Sequence, residues 1–380
     1  VVSHAPSILV ILDGASEPVQ AEELTSLERA TTPVLDALAQ LGTLHRLATT
    51  PPGLPAGSET GCAVLLGWQP PGPVDRALLE AAARGIPVAE GEVAWRLDVR
   101  AADGARADAA TAAEVARAAR ARVGVEAARI DHLAGHRLLI TGTPAAVAAA
   151  ADVVEGAAPA VDRWPTGVRV PRRLDARTVV IGAPGAVTGL AALLGAEVIQ
   201  PEGITGAVDE HLGPLGEAAL DALHAGTATR VVVHVGSPDE AAHARDPRAK
   251  LAAIEAADEE LFVPLVAALH ELGGVLEVAI DHGCDPHTAA HDAAPTPCLR
   301  WDATADTPPD DDAELDPRDI DLDAPGRTSG LDPEDLPLMA LPKRRATATA
   351  RTGRRLTERW VQPLPVEDPL TVLSTPAARG

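Results

Sequence analysis

The chain has no tyrosine and a single phenylalanine, so the core it builds must be aliphatic. The apolar share of 46% is large enough for a sizeable core, and 380 residues allow two or three domains. Cations are in short supply. The net charge of -23 argues against nonspecific nucleic-acid binding, which sets cations against phosphates. Lysine is almost missing: Lys250 and Lys343 are the only two among 32 Lys plus Arg, a compositional habit rather than a functional signal. Three cysteines, Cys62, Cys284 and Cys298, have no zinc-finger spacing and make no disulfide framework, which fits a reducing cytoplasm. No apolar run reaches about 18 residues, so no membrane helix is expected. The start shows no basic-then-apolar leader, and a cytoplasmic location is expected. There is no internal repeat.

Against this background, acids and histidines stand where short apolar runs stop. Ile8 to Leu12 ends at Asp13-Gly14, and Val231 to Val235 is followed by Asp239 and His243. Leu276 to Ile280 ends at Asp281-His282, with His291 nine residues on. Runs this short and rich in Val and Ile read as buried strands of a parallel sheet. The fold class is therefore α/β. In such sheets ligands bind beyond the carboxyl ends of the strands, so three strands would deliver three Asp and three His to one edge. That set is large enough for two divalent metals. Asp239 and His243 are spaced i, i+4, as two ligands on one helical face would be. His287 lies in the same last loop as His291 and competes with it for a ligand role.

A first α/β segment covers about 1–70, with a strand at 7–13 and a helix at 32–41 that has a Thr cap and an early Pro. The loop 51–57 leads into Ser58-Glu59-Thr60 and the apolar run 62–66, which reads as a helix start. Taken alone, Ser58 there is an N-cap. Residues 71–175 carry helices at 107–123 and 144–154 and a strand at 137–141 but no cluster of candidate ligands, and read as an inserted domain. The first pattern resumes at Thr178 and continues through a long helix at 249–272. The core is thus 1–70 plus 176–300. Residues 301–380 form a divergent segment that reads as loosely ordered: ten acids between Asp302 and Asp323, then seven basic residues between Lys343 and Arg359. Gly182 to Gly189 follows a strand but lacks the dinucleotide-binding glycine pattern, and reads as an ordinary strand–turn–helix.

Carboxylates with imidazoles suit Mn or Zn; carboxylates alone suit Mg better. Paired ions clamp the entering and leaving oxygens of a phosphoryl transfer. A Ser hydroxyl beside such ions loses its proton more easily and becomes a nucleophile. Ser58, in Pro55-Ala56-Gly57-Ser58-Glu59-Thr60-Gly61, is the candidate, and a helix start there adds N–H groups for phosphate oxygens.

These residues, in this order, resemble the archaeal-type cofactor-independent phosphoglycerate mutases of the alkaline phosphatase superfamily. Ile11-Leu12-Asp13-Gly14 looks like the opening metal-Asp strand, and Ala30 to Asp36 resembles A-x-T-P-x-L-D. Gly57-Ser58-Glu59-Thr60 and Leu65-Leu66-Gly67-Trp68 resemble G-S-D-T and L-L-G-Y. Gly203-Ile204-Thr205-Gly206 resembles a G-x-T-G turn. His234 to His243, then Lys250 and Ile254-Glu255, resemble H-x-K-x-x-D-E-x-x-H…K…I-E, and Asp281-His282 to His291 and Pro295-Thr296-Pro297 keep the spacing from D-H to H-x-x-x-P-x-P. The likeness spans roughly 7–100 and 178–300.

The resemblance implies an alkaline-phosphatase-like core with a parallel-rich sheet flanked by helices, and a smaller α/β domain inserted to close over the substrate. It implies one metal on Asp13, Ser58, Asp281 and His282 and another on Asp239, His243 and His291. Mn is the expected ion, with Zn or Mg as alternatives. Ser58 would take the phosphoryl group as phosphoserine and return it to a second hydroxyl, interconverting 3- and 2-phosphoglycerate as in glycolysis. Arg76 and Arg96 would bind the substrate, a small phosphorylated or phosphonate acid; no nucleic acid or membrane partner is implied, and the oligomeric state is left open. The chain also departs from the pattern. G-R-G-P-L-E-A appears as Asp75 to Ala81, keeping Arg76 and Glu80, and the Asn of G-D-V-A-F-R-x-N is Asp98. The insert's D-R-R-A-G-R is absent, and Gly236 replaces a Lys. Arginine forks are the usual grip on carboxylate and phosphate. The losses leave a second reading open: a divergent mutase or phosphatase acting on another phosphoester or phosphonate in a specialised pathway.

Overall fold

The computed structural model describes residues 6–21, 23–123, 128–304, 354–359 and 366–367. Most of the acidic and basic runs after 302 lies outside them. The chain forms two compact units: residues 1–69, 175–183 and 196–380, and residues 70–174 with 184–195.

The first unit is built on an eight-stranded sheet. Its order is Val366–Glu367, Thr43–Leu47, Thr296–Asp302, Val275–Ala279, Ser7–Leu12, Arg230–Val235, Thr178–Ile181, Glu197–Ile199. Ser7–Leu12 pairs in parallel with both Val275–Ala279 and Arg230–Val235, so the three runs singled out above are neighbours pointing one way. Thr296–Asp302 runs antiparallel to Val275–Ala279, and Thr43–Leu47 is antiparallel to it in turn. The α/β class with a parallel-rich sheet is what the structure shows. Ile8, Val10, Leu12, Val231, Val233, Leu276 and Val278 are all fully buried with helix residues such as Leu38, Leu215, Leu261 and Leu265. Burial on both faces explains why these strands are apolar without alternation.

Two local readings change. The 249–272 helix is interrupted: Pro247–Ala256 and Val263–Leu272 flank a π-helical segment, Ala257–Phe262. The helix Pro33–Leu41 has Thr32 at its N-cap, but that side chain makes no cap hydrogen bond. Asp258, from the π segment, accepts instead from Val34 N–H at 3.1 Å and Leu35 N–H at 2.8 Å. A carboxylate at a helix N-terminus meets both the free donors and the dipole, and here it comes from a distant part of the chain. The strand Thr296–Asp302 extends the core past residue 300. Residues 354–359 also belong to this unit: Arg355 pairs with Asp36 at 2.6 Å and donates to the carbonyls of Glu28 and Ala30.

The second unit holds an antiparallel sheet ordered Ala128–Ala134, Arg137–Gly142, Val93–Arg100, Ala160–Arg163. Strand alternation divides its faces. Leu97, Val99, Leu138 and Ile140 pack with Ala112, Ala116, Val147 and Ala151 of the helices Ala109–Arg120 and Pro144–Glu155. Ala94 and Leu139 face the other way, onto Ala77 and Ala81 of the helix Arg76–Ala83. That helix packs on Ala186–Leu194, where Gly189 lies so close to the Leu79 carbonyl that a Cβ would overlap it. Ala186–Leu194 thus joins this unit although it lies outside 71–175.

Candidate metal centre

Parallel pairing brings the strand ends to one edge of the first unit. Asp13 follows Leu12 directly, and its N–H donates to Val235 O at 3.0 Å. Gly14 then turns the chain at φ +59, a left-handed conformation, and any Cβ there would collide with Asp239. Asp281 and His282 follow the neighbouring strand and are fully buried. The helix Ser58–Leu65 reaches this edge because Gly61 has no side chain: a Cβ would overlap the Asp281 carbonyl. The N-cap of that helix is Gly57, with no side-chain cap bond. Ser58 is therefore not a cap, and its hydroxyl turns to Asp13, donating to Oδ2 at 3.0 Å, with Oδ1 at 3.3 Å. It also lies 3.4 Å from His282 Nε2.

Two clusters result, each able to offer donor atoms that lie within 4.8 Å of one another: Asp13, Asp281 and His282, and Asp239, His243, Cys284 and His291. Ser58 joins the first. His287 joins neither; its backbone N–H donates to Asp285 at 2.8 Å in an exposed turn. His282 Nδ1 faces Gly283 O at 3.1 Å and His291 Nδ1 faces Ala56 O at 3.0 Å. A carbonyl only accepts, so Nδ1 carries the proton in each ring and Nε2 is turned into the cluster. His291 Nε2 lies 3.0 Å from His243 Nε2, and His243 Nε2 lies 3.3 Å from Asp239 Oδ2.

The electrostatics match a place built for cations. Burial and the Asp13 charge push the Asp281 carboxyl up to about 7. Burial also opposes ionisation of Asp13, yet hydrogen bonds from His234 and His282 hold it well below the usual range. Asp239 is raised by burial and by Asp13 but drawn below its ordinary value overall by His243 and His291. His282 is held well above the usual imidazole value, because the charges of Asp281 and Asp13 outweigh its burial. One acceptor is left over: Asp239 Oδ1 is buried and has no hydrogen-bond partner. A hard oxygen-and-imidazole set with an orphaned carboxylate oxygen fits a divalent cation.

A family model described as the metalloenzyme superfamily matches residues 5–318. The chain belongs to the metalloenzyme superfamily. Among curated relatives, a 2,3-bisphosphoglycerate-independent phosphoglycerate mutase of Methanothrix thermoacetophila is 27% identical over 350 residues, covering 76% of this chain and 89% of the relative. Another of that name, from Methanopyrus kandleri, is 26% identical over 402 residues, covering 85% and 94%. Among solved structures, the PH0037 protein of Pyrococcus horikoshii aligns with a TM-score of 0.66 at 21% identity, over 79% of this chain and 88% of that one. That likeness is one of fold.

Two residues at this edge were not singled out as site candidates from the sequence. His234 is largely covered, with Nε2 2.9 Å from Asp13 Oδ2, and its pKa is raised because Asp13 outweighs desolvation. Its signal was present: it is the one polar residue in the strand Arg230–Val235 after the first position. Cys284 had no such signal, because its partners are remote in sequence. Among the described residues, no helix is long and apolar enough to cross a membrane.

Arg76 and Arg96 lie in the second unit and are engaged there. Arg96 is 4% exposed; its Nε and Nη2 donate to the two oxygens of Asp98 at 2.9 and 3.0 Å, and Nη1 donates to Glu80 at 3.0 Å. Trp164 covers it at 4.5 Å and donates Nε1–H to Asp98. Arg76 Nε lies 3.4 Å from Glu80.

Proposed function

We propose that the chain catalyses metal-dependent phosphoryl transfer through Ser58, interconverting 3-phosphoglycerate and 2-phosphoglycerate. The observation that carries this reading is the Ser58 hydroxyl, turned away from helix capping and onto Asp13 beside His282. Asp13, Ser58, Asp281 and His282 would hold one divalent ion, and Asp239, His243 and His291 the other. Ions held there would supply positive charge that makes the Ser58 hydroxyl easier to deprotonate and offsets charge on the phosphoryl oxygens. Asp13 accepts the hydroxyl hydrogen bond and orients Oγ for attack. His234 positions Asp13 by its 2.9 Å contact with Oδ2, the oxygen that also accepts from Ser58. Ser58 Oγ forms a bond to phosphorus as the bond to the substrate oxygen breaks, and the proton given up by Ser58 ends on the departing oxygen, which becomes a hydroxyl. The phosphoryl group then passes to the other hydroxyl of the glycerate, and Ser58 is regenerated. Transfer to water instead gives a phosphatase.

Metal-freed protein reloaded with manganese should carry about two ions per chain, and at about a hundred times Kd each site should add about 2.7 kcal/mol to stability. Elemental analysis with thermal melts checks this. A folded chain that takes up none has no such centre.

A second reading, a mutase or phosphatase for another phosphoester or phosphonate, is favoured by one observation: the Arg96 guanidinium is already held by Asp98 and Glu80. Each charge-assisted contact withheld from substrate is worth about 1.5–3 kcal/mol. Turnover of 3-phosphoglycerate should therefore depend on added divalent metal and show a Michaelis constant above about 1 mM. The test is a coupled assay with manganese, beside a generic phosphate ester. Phosphate release without 2-phosphoglycerate selects the phosphatase reading. No turnover of either substrate by folded, metal-loaded protein overturns both.

A further inference from the structure

Three members of the cluster around Asp239 offer oxygen or nitrogen; the fourth offers sulfur. Cys284 is fully buried, and its Sγ falls in the same group as donor atoms of Asp239, His243 and His291. The backbone explains why. Gly283–Cys284 pairs antiparallel with His291–Asp292, and the register sets Cys284 directly opposite His291. Opposed residues of an antiparallel pair project from one face. The Cys284 backbone is also fixed: its N–H donates to Ser16 O at 2.8 Å and its carbonyl accepts from Lys250 Nζ at 2.6 Å. Lys250 is itself fully buried and bound to Ser16 O and Glu17. The buried ammonium thus ties the Cys284 carbonyl to Ser16 and Glu17 and holds the position of the thiol. Cys298 serves as contrast: its Sγ lies 3.9 Å from the carbonyl of Leu299 and in neither candidate cluster.

A second feature points to a ligand at the same spot. Asp239 is 8% exposed, and its buried Oδ1 makes no hydrogen bond, with His291 Nε2 standing 3.6 Å away. Zinc bonds of about 2.0–2.3 Å place the donors of one tetrahedron roughly 3.3–3.8 Å apart. The 4.8 Å limit within which these four donors lie is compatible with closure around one ion.

We propose that Cys284 is a thiolate ligand of the ion held by Asp239, His243 and His291, giving an Asp–His–His–Cys site that selects zinc or cobalt over manganese and magnesium. This rests on the metal-centre reading above. Ligation releases the thiol proton to solvent, and soft sulfur favours the softer ions.

The test is cobalt(II) titration of metal-freed full-length protein, followed by absorption spectroscopy and by metal analysis. Wild type should bind cobalt and show a thiolate-to-cobalt charge-transfer band. Cys284→Ser should still bind cobalt but lose the band, while Cys62→Ser and Cys298→Ser retain it. Since the chain has three cysteines, retention in those two variants assigns the band to Cys284 even if Cys284→Ser fails to fold. In competition assays Cys284→Ser should weaken zinc binding by about tenfold or more and manganese binding by less than about threefold. Cobalt bound without the band, or a band that survives Cys284→Ser or vanishes in Cys62→Ser, overturns the proposal and leaves the metal centre standing. Folded wild type that binds no cobalt overturns both.

Discussion

Ser58→Ala should lower phosphoryl transfer by on the order of 10³-fold or more, the scale on which loss of a covalent nucleophile is felt. The substitution removes one oxygen and little else. Gly57 occupies the cap of the helix Ser58–Leu65 and the Ser58 side chain makes no cap bond, so the helix keeps its start. Asp13 keeps its contacts with His234 at 2.9 Å and His282 at 3.2 Å, so the strand end stays in place. The melting temperature should move little, and at least one ion should remain bound. Steady-state kinetics beside metal analysis is the measurement. Turnover within about tenfold of wild type would mean that phosphoryl transfer does not pass through this residue.

Arg96→Ala should destabilise the second unit by about 3–5 kcal/mol, because it strands two buried carboxylates. Glu80 is fully buried, and Asp98 is 4% exposed. Burial pushes both carboxyls up. Arg76, Arg96 and Arg84 nevertheless hold Glu80 below its ordinary value, and His136 and Arg96 do the same for Asp98. The sign follows. Carboxyls whose pKa is lowered in the folded state add stability above the unfolded value, about 4, and lose it as pH falls. Wild type should therefore weaken on the acid side, and Arg96→Ala should weaken less there because the pairing is already gone. Asp98→Asn in the Arg96→Ala background should recover part of the loss. Amide hydrogen exchange over Val93–Arg100 and Arg137–Gly142 locates the effect, and urea unfolding gives its size. A change below about 1 kcal/mol would show that the guanidinium is not what neutralises these acids, and would return Arg96 to the substrate-binding role that the family resemblance implies.

The two variants separate what each unit contributes. Loss of activity with an intact fold belongs to the strand-end edge of the first unit; loss of fold belongs to the buried ion cluster of the second. Asp98 links the two questions. An Asn there could not supply two anionic oxygens to one guanidinium, whereas Asp98 does. Arg96 and Asp98 lie two apart on one strand and so share a face, a relation visible in the sequence. Glu80, the other partner of Arg96, comes from a helix and was not visible as such.

Asp13, Asp281 and His282 were legible because each ends a Val- or Ile-rich run, and a short run buried on both faces must be apolar until it leaves the sheet. Asp239 and His243 were legible because four residues make about one helical turn. Such relations depend on the local repeat of the backbone, which the sequence carries. The parallel order of Val275–Ala279, Ser7–Leu12 and Arg230–Val235, by contrast, is set by pairing between segments far apart in the chain. That order brings His234 onto Asp13, while other long-range contacts set Asp258 on the amides of Val34 and Leu35 and gather Cys284 with Asp239. Local spacing by itself determined which residues stand at element ends. Tertiary pairing decided which of them meet, because contacts of a few ångströms between distant segments follow from sheet order and register, not from any repeat along the chain.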